Sequence, residues 1–390
     1  MGRKIHLNSG PMRILFLGFD IEGYGGIATY SRYQIEALKR LGHDADIVSI
    51  DKQTDGKLLA PGLAHRKLPF DNRLKAVATL VREAIAARGR YDLVMLNHVY
   101  LAGLGWLVKK LSGTPFTVNV YNIDILTKLP RLREAAFQAC DLVIADCNYT
   151  IDWMPKYRDK VPPSGLLYDP VDVHYFKPME KSAARAELAK HYGWTDLANK
   201  FVMTTVAAML LPPNKGQRQT MDAMAKLGDK RLVYIIVGSG ADRADLEAYA
   251  AAKGLGDQVR FTGRAPQDHL PILYAASDLA TLIARGGPGW GEAVPLGLIE
   301  AASCGTAFLC GNEDGSPEAI LADDPCGFAL PPLDIDAIAA AIAKLAGDPA
   351  LCRKMGEAGI RTVEKVFAFE RYVEQQGRLL ERFTQRKAAA

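Results

Sequence analysis

Short runs of apolar and β-branched residues alternate with segments of helical period along nearly the whole chain. MRILFLGF (12–19), ADIVSI (45–50), YDLVMLNH (91–98), PFTVNVY (115–121) and DLVIADC (141–147) are apolar at nearly consecutive positions. Such runs predict strands of a parallel sheet covered on both faces. Between them, Ile27 to Leu41, Arg73 to Arg88 and Leu101 to Leu111 carry the spacing of amphipathic helices. A polar, turn-rich stretch, DPVDVHYFKPMEKSAARAE (169–187), interrupts the pattern, which then restarts. FVMTTVAAM (201–209), LVYIIVGSG (232–240), VRFTGRA (259–265), DLATLIA (278–284), TAFLCG (306–311) and GFALPP (327–332) predict a second set of strands.

Strand–helix alternation with right-handed crossovers makes an open α/β sheet, and two in series make two Rossmann-like lobes with a cleft between them. The 390 residues also exceed what one core usually serves. The expected division is a flexible arm over 1–11, a first lobe over 12–177, a second over 178–366 with the linker near Pro178, and a C-terminal piece over 367–390. That last piece is one amphipathic helix, FERYVEQQGRLLERF, with a frayed tail. Open α/β sheets bind ligands at the carboxyl ends of their strands, so candidate chemistry is sought in the loops that leave those ends.

Composition narrows the class. With 49% hydrophobic and 24% charged residues the chain reads as an ordinary soluble protein. No apolar run approaches the roughly 18 residues that cross a bilayer. MGRKIHLNSGPM has no apolar core of a secretory signal, and His6 stands where a myristoylation signal has Ser or Thr. The six cysteines form no C-x-x-C pair and read as reduced core residues of a cytosolic protein. The seven histidines show no metal-binding spacing. The net charge of +4 divides into +5 over residues 1–180 and −1 over the rest. That excess, with Arg73, Lys75, Arg82, Arg88 and Arg90 along one helical segment, is either a solvated surface or a face for anionic lipid or an anionic acceptor. It lacks the density and aromatic interleaving of a nucleic-acid surface.

Three stretches carry candidate chemistry. The first strand runs into GFDIEGYGGIATY, where Gly23, Gly25 and Gly26 precede a helix expected from Ile27. Glycines let backbone N–H groups approach a ligand and a helix N-terminus favours an anion; the plainer reading is a tight strand-to-helix turn. Neither G-x-G-x-x-G nor Gly-Lys-Ser/Thr is present, so a dinucleotide fingerprint and a P-loop are both excluded. In AAMLLPPNKGQRQTM, Pro212, Pro213 and Asn214 stop a strand, which places Lys215 and Arg218 in the first turn of the next helix. Cations there oppose the helix dipole by about 0.3–1 kcal/mol each, unless a bound anion reverses the sign; a solvated lysine is the alternative.

The third is GEAVPLGLIE (291–300), two glutamates around an apolar run. Eight steps of about 100° set them roughly 80° apart, so one helix face does not explain them. Pro295 suits a first turn, which puts Glu292 in the preceding loop and Glu300 on the second turn. Each alone could be a cap or a surface residue; together, after the glycine-rich RGGPGWG, they suit hydroxyl recognition above an anion-friendly helix end. The D-x-D pairs Asp44/Asp46 and Asp334/Asp336 open a strand and a helix, where Asp is a natural cap, and no metal site is expected from them.

With these elements in hand, the chain resembles a retaining glycosyltransferase of the GT-B fold, family 4 type, over nearly its whole length from Met12. The likeness rests on Gly25–Gly26, Lys215–Gly216, the VGSG turn at Gly238–Gly240, FTGR at 261–264, and above all Glu292…Glu300 followed by AASCGTAFL. The resemblance implies two Rossmann-like lobes, an acceptor side first and a nucleotide-sugar side second, with the C-terminal helix crossing back to the first lobe. It implies that Lys215 and Glu292 are catalytic and that Glu300 binds ribose hydroxyls. Gly25, Gly26, Arg218, Arg264, Val294, Pro295 and Leu296 would line the donor, and His98, Tyr121, Asn122 and Asp124 the acceptor. It further implies sugar transfer from a nucleotide diphospho-sugar to a glycan or lipid-linked hydroxyl, with no cofactor and no metal, in surface polysaccharide or glycolipid assembly. The setting would be cytoplasmic, at the inner face of a membrane.

Departures from the family pattern accompany the likeness. Where relatives carry an arginine shortly before the lysine, this chain has Met209 or Ala208, and Tyr121 stands where a histidine is usual. The E-G-F-G-L pattern is Glu292-Ala-Val-Pro-Leu. These changes keep open a second reading, a nucleotide-sugar-binding or scaffold protein without turnover. A third, an epimerase or phosphorylase of the same fold, finds no local signal for a pyridoxal-phosphate lysine.

Overall fold

The computed structural model describes residues 10–23, 25–51, 62–69, 73–210, 215–287 and 290–388. The expected N-terminal arm lies outside them except for Gly10 and Pro11, as do Pro212, Pro213 and Asn214. The chain forms two compact units: Met1–Pro170 together with Phe369–Ala390, and Val171–Ala368.

The first unit holds a seven-stranded parallel sheet, ordered β3-β2-β1-β4-β5-β6-β7. Its strands are β1 Arg13–Phe19, β2 Asp44–Asp51, β3 Ala64–Pro69, β4 Leu93–Leu96, β5 Phe116–Val120, β6 Leu142–Ala145 and β7 Ser164–Leu166. Helices α1 Gly26–Arg40, α2 Arg73–Ala86, α3 Ala102–Ser112, α4 Asn122–Ile125, α5 Arg131–Gln138 and α6 Asn148–Trp153 connect them. Successive residues of β1 face opposite cores, Leu15 and Leu17 into one and Ile14 and Phe16 into the other. That is why the strand reads as one apolar run.

The second unit begins with α7 Lys181–Tyr192 and holds a six-stranded parallel sheet, ordered β10-β9-β8-β11-β12-β13. The strands are β8 Phe201–Val206, β9 Leu232–Val237, β10 Val259–Gly263, β11 Leu279–Leu282, β12 Ala307–Gly311 and β13 Gly327–Leu330. Its further helices are α8 Gln217–Leu227, α9 Arg243–Ala252, α10 Leu270–Ala276, α11 Leu296–Ser303, α12 Ile335–Gly347 and α13 Pro349–Thr362. In both sheets the strand order reverses between the first strand and a later neighbour, at β1/β4 and at β8/β11. These reversals are the positions where open sheets leave a crevice for ligands.

The boundary expected near Pro178 falls at Val171 instead. Val171 donates its N–H to the Phe367 carbonyl at 2.8 Å, and the Phe176 carbonyl accepts from the Ser303 hydroxyl at 2.5 Å. Residues 171–176 are thereby tied into the second unit rather than spanning a gap. The last helix, α14 Phe369–Ala388, starts two residues after 367 and belongs to the first unit. It buries Phe369, Tyr372, Val373, Leu380 and Phe383 beside Tyr30, Ile35 and Leu38 of α1. Gly165 allows its close approach, since a Cβ there would stand 2.5 Å from a Leu379 methyl.

All six cysteines are buried and unpaired by disulfides. No helix among the described residues is long and apolar enough to cross a membrane. Of the basic segment, the side chains of Arg73 and Lys75 lie outside the described residues, Arg82 lies 4.0 Å from Glu83, and Arg90 lies over the Tyr91 ring.

Candidate active site

In the second unit, Lys215 and Glu292 leave the sheet after β8 and β11, the two strands of its reversal, and their side chains form an ion pair. Lys215 is not in the first helical turn, as expected from sequence, but in the loop before it. Gly216 takes a left-handed conformation (φ 86°) and caps α8, which starts at Gln217. A Cβ on Gly216 would stand 2.8 Å from the backbone N and O of Ile283, so this turn accepts only glycine. The Gln217 side chain accepts the Lys215 N–H at 2.8 Å. Burial pulls the Lys215 pKa down, while the nearby Asp314 charge opposes that shift.

Glu292 is anchored through its main chain. Its N–H donates to Asp314 Oδ2 at 2.9 Å, and its carbonyl accepts from Gly315 N at 3.0 Å. Three residues on, Pro295 caps α11, whose first residue is Leu296, as the proline predicted. Pro295 has no N–H and Val294 is 2% exposed, so neither side chain is a polar contact. The amides of Leu296 and Gly297, in the first turn of α11, have no intrahelical carbonyl to bond.

Glu300 falls on the second turn of α11 and is half-buried. Its Oε2 accepts the Tyr274 hydroxyl at 2.9 Å. Burial raises its pKa to about 7, against the hydrogen bond from Tyr274, which lowers it. A carboxyl poised there is acceptor-only when ionised and presents an O–H donor when neutral, and a ligand that donates hydrogen bonds favours the ionised form.

The other expected donor residues are placed differently. Arg218 lies in the first turn of α8 with its guanidinium 5.0 Å from the Tyr249 ring centroid, a stacking contact with α9. Arg264 is exposed just after β10. Met209 is fully buried in the core while Ala208 is exposed; a cation would fit only at 208, where the side chain is a methyl. The VGSG turn packs on this strand end so closely that a Cβ on Gly240 would meet the Met209 carbonyl at 1.9 Å.

In the first unit, Gly25 caps α1 with φ 110°, and the helix starts at Gly26, one residue earlier than expected. Arg32 of α1 braces the loop from beneath, donating to the carbonyls of Ile21 and Gly23 at 2.8 and 2.9 Å. After β4, His98 meets Asp124, with Nε2 3.0 Å from Oδ2. Nδ1 accepts the Tyr100 N–H at 3.2 Å, which fixes the proton on Nε2, facing Asp124. Both ring nitrogens are thus engaged, so His98 orients Asp124 rather than acting as a free base. Tyr121 packs edge-on against Tyr30, ring centroids 5.7 Å apart, and its hydroxyl lies 3.5 Å from Asn119; it is a packing residue more than a ligand contact. The side chain of Asn122 lies outside the described residues.

Sequence reasoning missed Asp314, Tyr274 and Arg32. Asp314 lies just after β12, at the carboxyl end of a strand, and that placement was the available signal. Tyr274 and Arg32 sit inside helices and give none. Both D-x-D pairs have structural partners: Asp46 accepts from the Tyr91 hydroxyl at 2.6 Å, Asp44 lies 3.9 Å from Arg13, Asp334 caps α12 and Asp336 pairs with Lys226. Among the described residues no group of three or more His, Cys, Asp or Glu is gathered to hold a metal.

Residues 197–362 match the family described as glycosyl transferases group 1, and residues 25–149 match a glycosyl transferase 4-like domain. The chain is 30% identical over 335 residues to a D-inositol 3-phosphate glycosyltransferase of Streptomyces avermitilis, covering 78% of this chain and 68% of that protein. It is 31% identical over 270 residues to a GDP-mannose-dependent alpha-(1-6)-phosphatidylinositol monomannoside mannosyltransferase of Mycolicibacterium smegmatis, covering 66% and 68%. Among solved structures, a sucrose-phosphate synthase from Thermosynechococcus elongatus superposes with TM-score 0.79 at 21% identity, covering 97% of this chain and all of that one. Anabaena HepE in complex with UDP-glucose gives 0.75 at 20%, covering 95% and 99%. The fold is GT-B.

Proposed function

The chain belongs to the group 1 glycosyl transferases, and we propose that it moves a sugar from a nucleotide diphospho-sugar to a hydroxyl of a glycan or lipid-linked acceptor, with retention at the anomeric carbon and without a bound metal. The observation that carries this reading is the Lys215–Glu292 pair at the reversal of the second sheet. A diphosphate outcompetes one carboxylate for the lysine, because it brings more negative charge and also meets the first-turn amides of α11. Glu292 is then released to a hydroxyl of the donor sugar, and Glu300 accepts from the ribose.

At ~4 Å and an effective dielectric near 20, one lysine–phosphate pair is worth up to ~4 kcal/mol. Formed mainly as the leaving diphosphate gains charge, that corresponds to about three decades in rate. The leaving group takes the acceptor proton on the same face of the sugar, and the protein's share is position and electrostatics. In the first unit, the Gly25 and Gly26 amides offer donors to an anion, and Asp124, oriented by His98, offers an acceptor to a hydroxyl.

The setting we favour is glycolipid or surface polysaccharide assembly at the cytoplasmic face of a membrane, with the +5 excess of residues 1–180 toward anionic lipid. That one relative is named for a phosphatidylinositol monomannoside substrate supports a lipid-linked acceptor. The rival reading, a binder without turnover, draws on the uncharged pair Ala208 and Met209. A thermal-shift and hydrolysis screen against UDP-, GDP- and ADP-sugars separates the two: an enzyme releases nucleoside diphosphate from one donor, whereas a binder is stabilised and releases none.

A further inference from the structure

Asp314 is 6% exposed and belongs to no element of the sheet or its helices. Each of its carboxylate oxygens accepts a different backbone N–H: Oδ2 from Glu292 at 2.9 Å and Oδ1 from Ser316 at 3.0 Å. Gly315 N–H returns a bond of 3.0 Å to the Glu292 carbonyl, so the peptide on either side of the Glu292 Cα is held by residues 314–315. The close fit is enforced at Gly315, where a Cβ would stand 3.0 Å from the Ala293 carbonyl carbon. The loop after β12 therefore sets the height at which Glu292 leaves the loop after β11, and with it where Glu292 meets Lys215.

We infer that Asp314 is a positioning residue of the transfer reaction, holding Glu292 by its main chain and Lys215 by its charge. The inference rests on the donor-site reading given above. The titratable groups facing Asp314 are Lys215, Glu313 and the Cys310 thiol, of which Lys215 is the cation, while Glu292 meets it through its backbone N–H. Burial lifts the Asp314 carboxyl to about 6, against the Ser316 N–H and Lys215, which pull it down. Protonation removes the charge that supports Lys215 and places an O–H where an N–H donor points. An asparagine does the same permanently: it has one acceptor oxygen for two N–H groups on opposite sides, and its NH2 confronts the other.

The test is steady-state hydrolysis of the sugar nucleotide that wild-type protein turns over, from about pH 5 to about pH 8, on wild type and Asp314→Asn. Wild-type kcat is expected to fall below about pH 6, while Asp314→Asn is about 10- to 100-fold slower at pH 8, with donor KM within about 3-fold and no acid limb in kcat. Donor-binding stoichiometry near one per chain, by calorimetry, excludes a simple loss of folded protein. A profile of wild-type shape in the variant, merely scaled, overturns the inference. Should Asp314→Asn not fold, the wild-type profile decides, and a kcat flat across that range overturns it. Absence of turnover of every sugar nucleotide by wild type contradicts the donor-site reading itself, which separates the two failures.

Discussion

The Tyr274 hydroxyl donates to Glu300 Oε2 at 2.9 Å, joining α10 to α11 through one part-buried hydrogen bond. It fixes the carboxylate plane, so that the group assigned to the ribose is held in one orientation before a ligand arrives. Tyr274→Phe removes that restraint while keeping the ring, which is itself packed against Phe176. Donor KM is expected to rise about 3- to 10-fold with kcat near wild type, since one net hydrogen bond is worth roughly 1 kcal/mol. Initial-rate kinetics with varied donor measure both constants.

The carboxyl of Glu300, raised from 4.5 to about 7, makes stability depend on pH in a stated direction. The folded donor-free protein holds this proton more tightly than the unfolded chain. The stabilisation is therefore complete below about pH 4.5 and is lost as pH rises through about 7. Asp314, raised to about 6, contributes in the same direction over a lower window. Glu300→Gln removes the cost of a half-buried anion and is expected to stabilise the donor-free protein at pH 8 by on the order of 1–3 kcal/mol. The gain vanishes near pH 4.5. Denaturant unfolding at the two pH values checks it.

Arg32 supports the glycine loop from inside the first unit through the carbonyls of Ile21 and Gly23 and the Thr29 hydroxyl. Burial pulls its pKa down, yet it stays a cation with acidic neighbours Asp20 and Glu22. Arg32→Met keeps the apolar stem and leaves those carbonyls without a donor, at a cost of about 2–3 kcal/mol. A fall in unfolding free energy of that size, read as a lower urea midpoint, is expected, with faster amide exchange at Gly25 and Gly26.

The apolar runs announced eleven of the strands because a strand buried on both faces has no polar alternation to blur it. β3 (AHRKLP) and β7 (SGL) went unseen. One is a charged edge strand whose pairing comes only from β2, and the other is three residues long. Pro295 gave the start of α11 to within a residue because its fixed φ and missing N–H act locally. Lys215 was set one element too late, since the left-handed turn at Gly216 is imposed by the Ile283 backbone, 67 residues away in sequence. Tyr274 was silent for the same reason, since it acts through a partner on another element, and Asp314 was marked only by its place after the carboxyl end of β12. Arg218 shows the converse, a residue singled out by local position whose guanidinium the fold gives to Tyr249.

The proposed transfer depends most directly on Lys215 acting on the departing nucleoside diphosphate's phosphates and Glu300 on its ribose. Donor affinity by calorimetry and nucleoside diphosphate release, measured together for wild type, Lys215→Ala and Glu300→Ala, test this. Wild type is expected to release nucleoside diphosphate from one sugar nucleotide, and Lys215→Ala to bind that donor within about 10-fold of wild type but turn it over at least ~100-fold more slowly. Glu300→Ala is expected to bind about 10-fold or more weakly. Turnover by Lys215→Ala at the wild-type rate, or donor binding by wild type with no nucleoside diphosphate released, would contradict it.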